Sequence, residues 1–116
     1  MAVFIEDEAF LGTEKKYLIT IESSGFSMET DDFEVLLKRG QNTLTIKKAD
    51  MIVEPYTVTE GGVEVTKYHY YIAFDTSVLG PGVVSMTVYA YVPDTDYPDG
   101  LRTEVDKFNF LRIKSV

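Results

Sequence analysis

VVSMTVYAYV, residues 83–92, is the stretch that decides the fold class of this chain. Apolar residues alternate in it with Ser, Thr and Tyr, and the apolar set is Val84, Met86, Val88, Ala90 and Val92. A period of two is typical of a β-strand that buries one of its faces. Pro93 follows, and because proline has no N–H to donate to a strand ladder, the strand is predicted to end there.

The same alternation recurs along most of the remaining sequence. It predicts further strands over residues 17–22, 33–38, 43–47, 56–59, 63–74 and 104–114. The strand over 43–47 is expected to continue through 51–53 beyond a kink at 48–50. Gly61-Gly62 lies between two β-branched runs, which predicts a hairpin.

The last predicted strand has two candidate inward sets. Phe108 with Phe110 is one, and Leu111 with Ile113 is the other. The two sets are out of phase by one residue, so a regular strand cannot bury both. A β-bulge near Asn109 would place both sets inward.

The spacing of the predicted strands indicates the architecture. About seven strands begin roughly 8 to 15 residues apart, and no helical period lies between them. This pattern predicts an all-β fold, an antiparallel β-sandwich of immunoglobulin-like shape, with a closed barrel as the alternative. Residues 15–116 are expected to form the single sandwich domain, with residues 67–74 and 83–92 at its centre. Residues 1–14 are expected to form an N-terminal arm outside it, available to pair with a neighbouring subunit.

Composition supports one globular domain and argues against several classes of partner. The 116 residues are 45% hydrophobic and 13% aromatic, which suffices for one core. The formal net charge of −8 repels phosphate backbones and anionic lipid, so neither nucleic acid nor membrane is expected as a partner. The absence of cysteine excludes disulfides, thiolate metal sites and cysteine nucleophiles.

No export signal or membrane anchor is expected. Glu6, Asp7 and Glu8 stand where a signal peptide would have a basic start followed by an apolar run. No stretch reaches the roughly 18 uninterrupted apolar residues that cross a bilayer as a helix.

A cluster of carboxylates is the sharpest candidate for a metal site. Asp94, Asp96 and Asp99 fall within six positions before Gly100, and Glu104 follows. Calcium prefers several oxygen ligands on a flexible turn, although Pro98 breaks the EF-hand spacing. Aspartates also favour ordinary turns because they bond their own backbone. A solvated loop is therefore the alternative, and Arg102 is positioned to pair with one of the carboxylates.

Catalytic signatures are missing from the sequence. His69 is the only histidine, and its place in an alternating strand does not bring it to a loop tip beside a nucleophile. No carboxylate lies inside an apolar pattern that would raise its pKa. Gly80-Pro81-Gly82 lacks the lysine of a phosphate-binding loop. We expect no enzymatic activity and no cofactor, with calcium as the single exception to test.

Aromatic residues on the predicted outward faces are the candidates for a binding surface. His69 and Tyr71 alternate with Tyr70 and Ile72, and Tyr89 and Tyr91 alternate with apolar residues of the strand over 83–92. Exposed aromatics at strand centres are typical of protein interfaces and of platforms that stack on sugars. The sequence thus predicts an interface formed by His69, Tyr71, Tyr89 and Tyr91. The alternative is that both faces are partly covered, by the N-terminal arm or by the loops of a neighbouring strand.

Several motifs carry a family resemblance. They are GFSM (25–28), DDFEV (31–35), YYIAFDT (70–76), LGPG (79–82) and YAYVPDTDYPDGLR (89–102). With these motifs, residues 19–106 resemble the N-terminal domain family of phage baseplate upper proteins and related small prophage-encoded proteins of gut bacteria.

The resemblance implies an immunoglobulin-like β-sandwich that oligomerises and attaches receptor-binding parts to a virion without enzymatic activity. The function expected from it is that of a structural, assembly protein of a phage or prophage particle, a baseplate or tail-type subunit. Its partners would be copies of itself or other virion proteins. Its location would be the virion, or the bacterial cytoplasm before assembly. A small carbohydrate- or calcium-binding β-sandwich module is the alternative.

Overall fold

Strands form at nearly every position where the alternation predicts them. The computed structural model describes residues 7–116, and this range contains eight strands and two short 3-10 turns. The strands are β1 (Asp7–Phe10), β2 (Glu14–Ile19), β3 (Phe33–Arg39), β4 (Asn42–Lys47), β5 (Ile52–Glu60), β6 (Val63–Asp75), β7 (Gly82–Pro93) and β8 (Leu101–Lys114). The all-β prediction is confirmed, with eight strands where about seven were expected.

The described strands form two sheets around one core. The large sheet has the order β1-β8-β7-β3-β4, and the small sheet has the order β2-β6-β5. Every pairing is antiparallel except the parallel one between β1 and β8. Because the strands lie in two separate sheets, the closed-barrel alternative is wrong and the immunoglobulin-like β-sandwich is confirmed.

The core lies where the inward faces of β3, β6 and β7 meet. The buried residues of β7 are the predicted apolar set together with Thr87. Beside them in the same sheet, Phe33, Val35 and Leu37 of β3 are fully buried, and so is Ile72 of β6 in the opposite sheet. Burial of this much apolar surface is the main force that holds the two sheets together.

The β5–β6 hairpin extends beyond the sandwich. Gly61 and Gly62 form its turn with positive φ angles, as the hairpin prediction requires. Val53 and Tyr68 lie on the core-facing side of this hairpin, yet they are 46% and 42% exposed because the large sheet does not reach them. The radius of gyration is accordingly 16.2 Å, against about 13–14 Å for a compact domain of this length.

The chain changes sheets at residues 48–50. These residues were expected to be a kink within one continuing strand. They instead form a 3-10 turn that leads from β4 in the large sheet to β5 in the small sheet. Residues 52–60 therefore do not continue β4. They form a separate strand, β5, in the small sheet.

The predicted bulge in the last strand is present. Val84 pairs with Leu111 whereas Ser85 pairs with Asn109, so Phe110 is the extra residue. Leu111 and Ile113 are buried beyond the bulge, and both Phe108, before the bulge, and Phe110, within it, pack against the same core.

The N-terminal region differs from the expectation of an arm outside the sandwich. Residues 1–6 lie outside the described part of the chain. Asp7 pairs with Leu111, and β1 forms an edge strand of the large sheet. Ala9 packs against the core, and the amide of Leu11 donates to the carbonyl of Lys114. Only four residues make this strand, which is too short for alternation to reveal it.

Candidate functional site

The outer face of the small sheet carries the first two predicted interface residues. β6 is the middle strand of this sheet, so His69 and Tyr71 lie at its centre. Tyr71 pairs with Leu18 of β2 on one side and with Ile52 of β5 on the other. Leu18 is 49% exposed and Ile52 is 41% exposed. An apolar row therefore crosses the whole sheet on its solvent side.

Aromatic rings extend this row along the hairpin. His69 stacks on Tyr56 with ring centroids 4.0 Å apart, and it meets Tyr71 edge-on at 6.2 Å. We call the surface formed by Leu18, Ile52, Tyr56, His69 and Tyr71 the small-sheet face. Rings held against each other in this way present a large, rigid contact area with little conformational freedom left to lose on binding.

Paired charges lie next to the small-sheet face. Lys16 Nζ lies 2.7 Å from Glu54 Oε2 and 4.4 Å from the centre of the Tyr71 ring. Lys67 Nζ lies 2.9 Å from Glu60 Oε2. Each cation on this surface has a nearby carboxylate, so the face is locally close to neutral on a protein whose net charge is −8.

Tyr89 and Tyr91 lie on the opposite surface of the molecule. They belong to β7, and the outer side of the large sheet points away from the outer side of the small sheet. The structure therefore divides the four predicted interface residues into two pairs that cannot contact one flat partner together. Sequence alternation shows which side of a strand is outward, but it does not show to which sheet the strand belongs.

The two tyrosines of β7 have a more polar setting. The Tyr91 hydroxyl donates to Glu34 Oε1 at 2.5 Å, and this hydrogen bond, together with burial, raises the pKa of Tyr91 to about 12. Tyr89 pairs with Glu34 on β3 and with Val105 on β8. Since the Tyr91 hydroxyl is already bonded within the chain, this surface is the weaker candidate for binding.

The acidic loop is closed by an arginine. Arg102 Nη1 lies 2.8 Å from Asp94 Oδ2, and Arg102 Nη2 lies 3.2 Å from Glu104 Oε1 and donates to the carbonyl of Ser24. The backbone amide of Asp96 and the Arg102 guanidinium hold the pKa of the Asp94 carboxyl below its usual value. The Ser23 hydroxyl and Arg102 do the same for the pKa of Glu104. The predicted pairing of Arg102 with a loop carboxylate is confirmed.

The structure does not bring the four predicted metal ligands together. Asp94 Oδ1 accepts from the amide of Asp96, and Asp99 Oδ1 accepts from the amide of Leu101. These bonds are typical of aspartates that shape a turn. Between residues 7 and 116, no group of three or more His, Asp or Glu side chains is arranged to hold a metal ion.

Three residues of the small-sheet face were missed by sequence reasoning: Leu18, Ile52 and Tyr56. A signal for two of them was present in the hairpin. With Gly61 and Gly62 as a two-residue turn, counting outward places Ile52 opposite Tyr71, as the structure shows. The same count places Tyr56 two residue pairs from His69, on the same face of the sheet. Leu18 carried no such signal, because β2 meets β6 through a long-range pairing.

A second feature that the sequence did not predict is an apolar groove between β2 and β8. It has a volume of about 470 Å³. Its apolar lining includes Ile19, Ile21, Met86, Val88, Phe108 and Phe110. It lies at the seam where the two sheets part, and Leu18, at the edge of the small-sheet face, also lines it.

No protein-family model, curated protein or solved structure matches the chain. Among the residues that the structure describes, none forms a helix long and apolar enough to cross a membrane.

Proposed function

We propose that this chain is a non-enzymatic assembly protein of a phage or prophage particle, a baseplate or tail-type subunit. In this role it forms homo- or hetero-oligomers through its β-sandwich. The observation that carries the proposal is the small-sheet face, an exposed apolar and aromatic surface at the centre of a sheet. The assignment to a particle rests on the motif resemblance, and the binding role rests on the surface itself.

Exposed apolar side chains give this face its capacity to bind. Leu18 and Ile52 flank Tyr71 and remain 49% and 41% exposed. Covering such side chains contributes about 25 cal/mol for each Å² of apolar surface removed from water. Large rigid aromatics at the centre of a patch are the residues that most often dominate binding energy at protein interfaces.

Charge favours the same face over the rest of the surface. Two copies with a net charge of −8 repel each other at long range. On the small-sheet face, Lys16 and Lys67 each pair with a glutamate, so a partner meets little net charge there. A locally neutral, apolar surface on an acidic protein is where association costs least.

The setting of the single histidine supports a role without catalysis. His69 stacks on Tyr56 and meets Tyr71 edge-on. A general base needs a nucleophile within hydrogen-bond reach and a group that orients it. The rings around His69 supply packing in place of such partners.

The carbohydrate-binding alternative is less favoured by the same geometry. The rings of Tyr56 and His69 cover each other, and Lys16 Nζ lies over the ring of Tyr71. A sugar that stacks on an aromatic needs an open ring face, and these contacts occupy several. Binding of the purified protein to a glycan array would favour this alternative over assembly.

Two matched substitutions test the proposed face. Ile52→Lys places a charge on the small-sheet face, and Leu101→Lys places the same charge on the outer face of the large sheet; both side chains are 41% exposed. In size-exclusion chromatography with light scattering, we expect the wild-type chain to form oligomers at high concentration, alone or with a co-expressed particle protein. Ile52→Lys should weaken this association at least tenfold, and Leu101→Lys should leave it unchanged.

A strictly monomeric chain that recovers no particle protein would contradict the assembly role. Equal loss in both variants would contradict the choice of face. The particle assignment is tested separately by mass spectrometry of particles released on prophage induction from a strain that carries the gene. Absence of the chain from purified particles would overturn that part of the proposal.

A further inference from the structure

The apolar groove between β2 and β8 is a long slot whose walls meet at both ends. One wall is residues 17–23, in β2 and directly after it, and the other is residues 104–110 of β8. At one end the Ser23 hydroxyl donates to Glu104 Oε1 at 2.9 Å. At the other end the rings of Tyr17 and Phe110 meet edge-on, with centroids 5.0 Å apart. Residues 104 and 110 are roughly 20 Å apart along an extended strand, and this distance sets the length of the slot.

The interior of the groove is apolar. Ile19 and Ile21 lie on one wall, Phe108 lies on the other, and Met86 and Val88 of β7 form the floor. The volume of about 470 Å³ is within the range of pockets that bind ligands. Because this volume is spread along the whole slot, a narrow, extended ligand fits it better than a compact one.

Two carboxylates line the groove from the core-facing side of β8. Glu104 pairs with Ala90 of β7, and Asp106 pairs with Val88. Residues directly opposite each other on antiparallel strands share a face, and Ala90 and Val88 are both buried. Charged side chains are uncommon on such a face because removal from water is costly. Glu104 and Asp106 stay exposed here because the groove is open to solvent.

Two of the carboxylates at the groove lack a cation. Glu104 accepts a hydrogen bond from Arg102. Within residues 7–116, Asp106 and Glu22, which lies on the facing wall, have no lysine or arginine within ion-pair distance. The chemical complement of this groove is therefore an apolar ligand that carries a positive charge.

The β8 wall also offers backbone hydrogen-bonding groups. β7 pairs with one side of β8, and β1 pairs with Leu111–Lys114 on the other side. No other strand of residues 7–116 pairs with β8, so the backbone of 101–110 is part of a strand ladder on one side only. An extended peptide binds such an edge by adding a strand to the sheet.

We propose that the groove binds an extended segment of a partner protein, with apolar side chains at alternate positions and a lysine or arginine among them. The segment adds a strand to β8, its apolar side chains contact Met86, Val88 and Phe108, and its cation pairs with Asp106 and Glu22. The net charge of −8 attracts a basic segment at long range and makes a second copy of this chain the less suitable partner.

Peptide selection tests the chemistry of the occupant. A displayed library of random heptapeptides is selected on the full chain, and the strongest binder is synthesised as the test peptide. We expect the selected peptides to share apolar residues at alternate positions and at least one lysine or arginine. Selected peptides without this pattern, or no enrichment over selection on an unrelated acidic protein, would overturn the proposal.

Matched charge variants test the two carboxylates. Glu22→Gln/Asp106→Asn neutralises them, and Glu64→Gln/Asp50→Asn removes the same charges at exposed positions of the hairpin and of the 3-10 turn after β4. By fluorescence anisotropy, we expect the test peptide to bind the first variant at least tenfold more weakly than the wild-type chain, and to bind the second as the wild type does. Equal affinity for the two variants would contradict the assigned charge pairing.

A protective role is the competing explanation for the inward carboxylates, because inward charges also keep open strand edges from pairing with other copies. In that case no peptide would be selected, and Glu22→Gln/Asp106→Asn would form oligomers that the wild-type chain does not form. Light scattering of the two proteins at equal concentration detects this outcome, which would overturn the proposal.

Nuclear magnetic resonance locates the bound test peptide on the isotope-labelled chain. We expect it to shift the amide signals of Ile21 and Phe108 and to leave those of Ile52 and Tyr56, on the small-sheet face, unchanged. Shifts confined to the small-sheet face would overturn this proposal and leave the assembly role in place. Shifts in the groove together with loss of wild-type oligomers would show that a second copy occupies it, which would overturn the choice of partner.

Discussion

The ring of His69 lies flat against the ring of Tyr56, with centroids 4.0 Å apart and planes inclined by 12°. Glu54 and Tyr56 are neighbours on one face of β5, and His69 pairs with Glu54 in the register of the hairpin. The stack therefore joins the two strands diagonally at a point where the hairpin leaves the sandwich. It stiffens a part of the small-sheet face that has no second sheet behind it.

A double-mutant cycle measures this stack. Tyr56→Ala and His69→Ala should each destabilise the protein, and together they should cost less than the sum of the two. We expect a coupling energy of about 0.5–1.5 kcal/mol, typical of a stacked aromatic pair, from chemical denaturation of the four proteins. His69→Ala with Tyr89→Phe, on opposite surfaces, should be additive. Coupling near zero between Tyr56 and His69 would show that the stack does not stabilise the hairpin.

Because the Tyr91 hydroxyl is hydrogen-bonded in the folded protein, we expect the fold to lose stability at alkaline pH. Its hydrogen bond to Glu34 and its burial raise the pKa to about 12 from the ordinary value of 10. Because the pKa is higher in the folded state, the interaction stabilises the fold fully below about pH 10, and the stabilisation is lost as the pH rises toward 12. Tyr91→Phe should therefore make the free energy of unfolding less dependent on pH in this range.

Urea unfolding at several pH values between about 8 and 12 checks this prediction. Tyr89→Phe, on the same strand and the same face, is the matched control for the loss of a tyrosine hydroxyl, and the effect of Tyr91→Phe on the pH profile should exceed it. Identical pH profiles for the two variants would contradict a special role of the bond between Tyr91 and Glu34.

The arginine-closed loop predicts that calcium is not required for folding. Asp94 and Glu104 already accept hydrogen bonds from Arg102, and Asp99 accepts one from the amide of Leu101. We expect millimolar calcium to leave the Tm unchanged and Arg102→Met to lower it, since two carboxylates then lose their cation. A clear rise of the Tm with calcium in the wild-type protein, abolished by Asp94→Asn, would contradict this prediction and support calcium binding by the loop.

The surroundings of Gly80, in the loop between β6 and β7, leave no space for a larger side chain. A Cβ at Gly80 would lie 2.9 Å from Arg39 Nη2, and Arg39 is tethered because its Nε donates to the carbonyl of Leu79. Gly100 has a similar positive φ, 76° against 85°, but no atom within 4 Å of the added Cβ. Gly80→Ala should therefore cost about 1 kcal/mol more than Gly100→Ala, roughly the net worth of one hydrogen bond.

Arg39→Ala provides the control for this comparison. In that background the obstacle is gone, and the two glycine substitutions should have equal effects on the free energy of unfolding measured with urea. A difference that persists without the arginine side chain would assign the cost to backbone strain at Gly80.

The sequence by itself determined the strands and their buried sides. Alternation from Val84 to Val92 predicted the central strand and its core residues, because period two is a local property that survives whatever the strand pairs with. The bulge at Phe110 was predictable for the same reason, since two apolar sets out of phase cannot both face inward on a regular strand. The hairpin register, too, follows from a two-residue glycine turn.

Only the tertiary structure decided which strands share a sheet. β6 and β7 follow each other in the chain, yet they lie in different sheets, and this puts Tyr71 and Tyr89 on opposite surfaces. The parallel pairing of β1, the pairing of Leu18 with Tyr71 and the groove beside β8 depend in the same way on long-range partners. An alternating pattern shows which side of a strand is buried. It does not show which strands pair, because the backbone N–H and C=O groups that form the hydrogen bonds between strands are chemically the same at nearly every residue. Which strands pair therefore depends on how all the buried faces pack together. The same packing determines which residues form the surfaces proposed for binding.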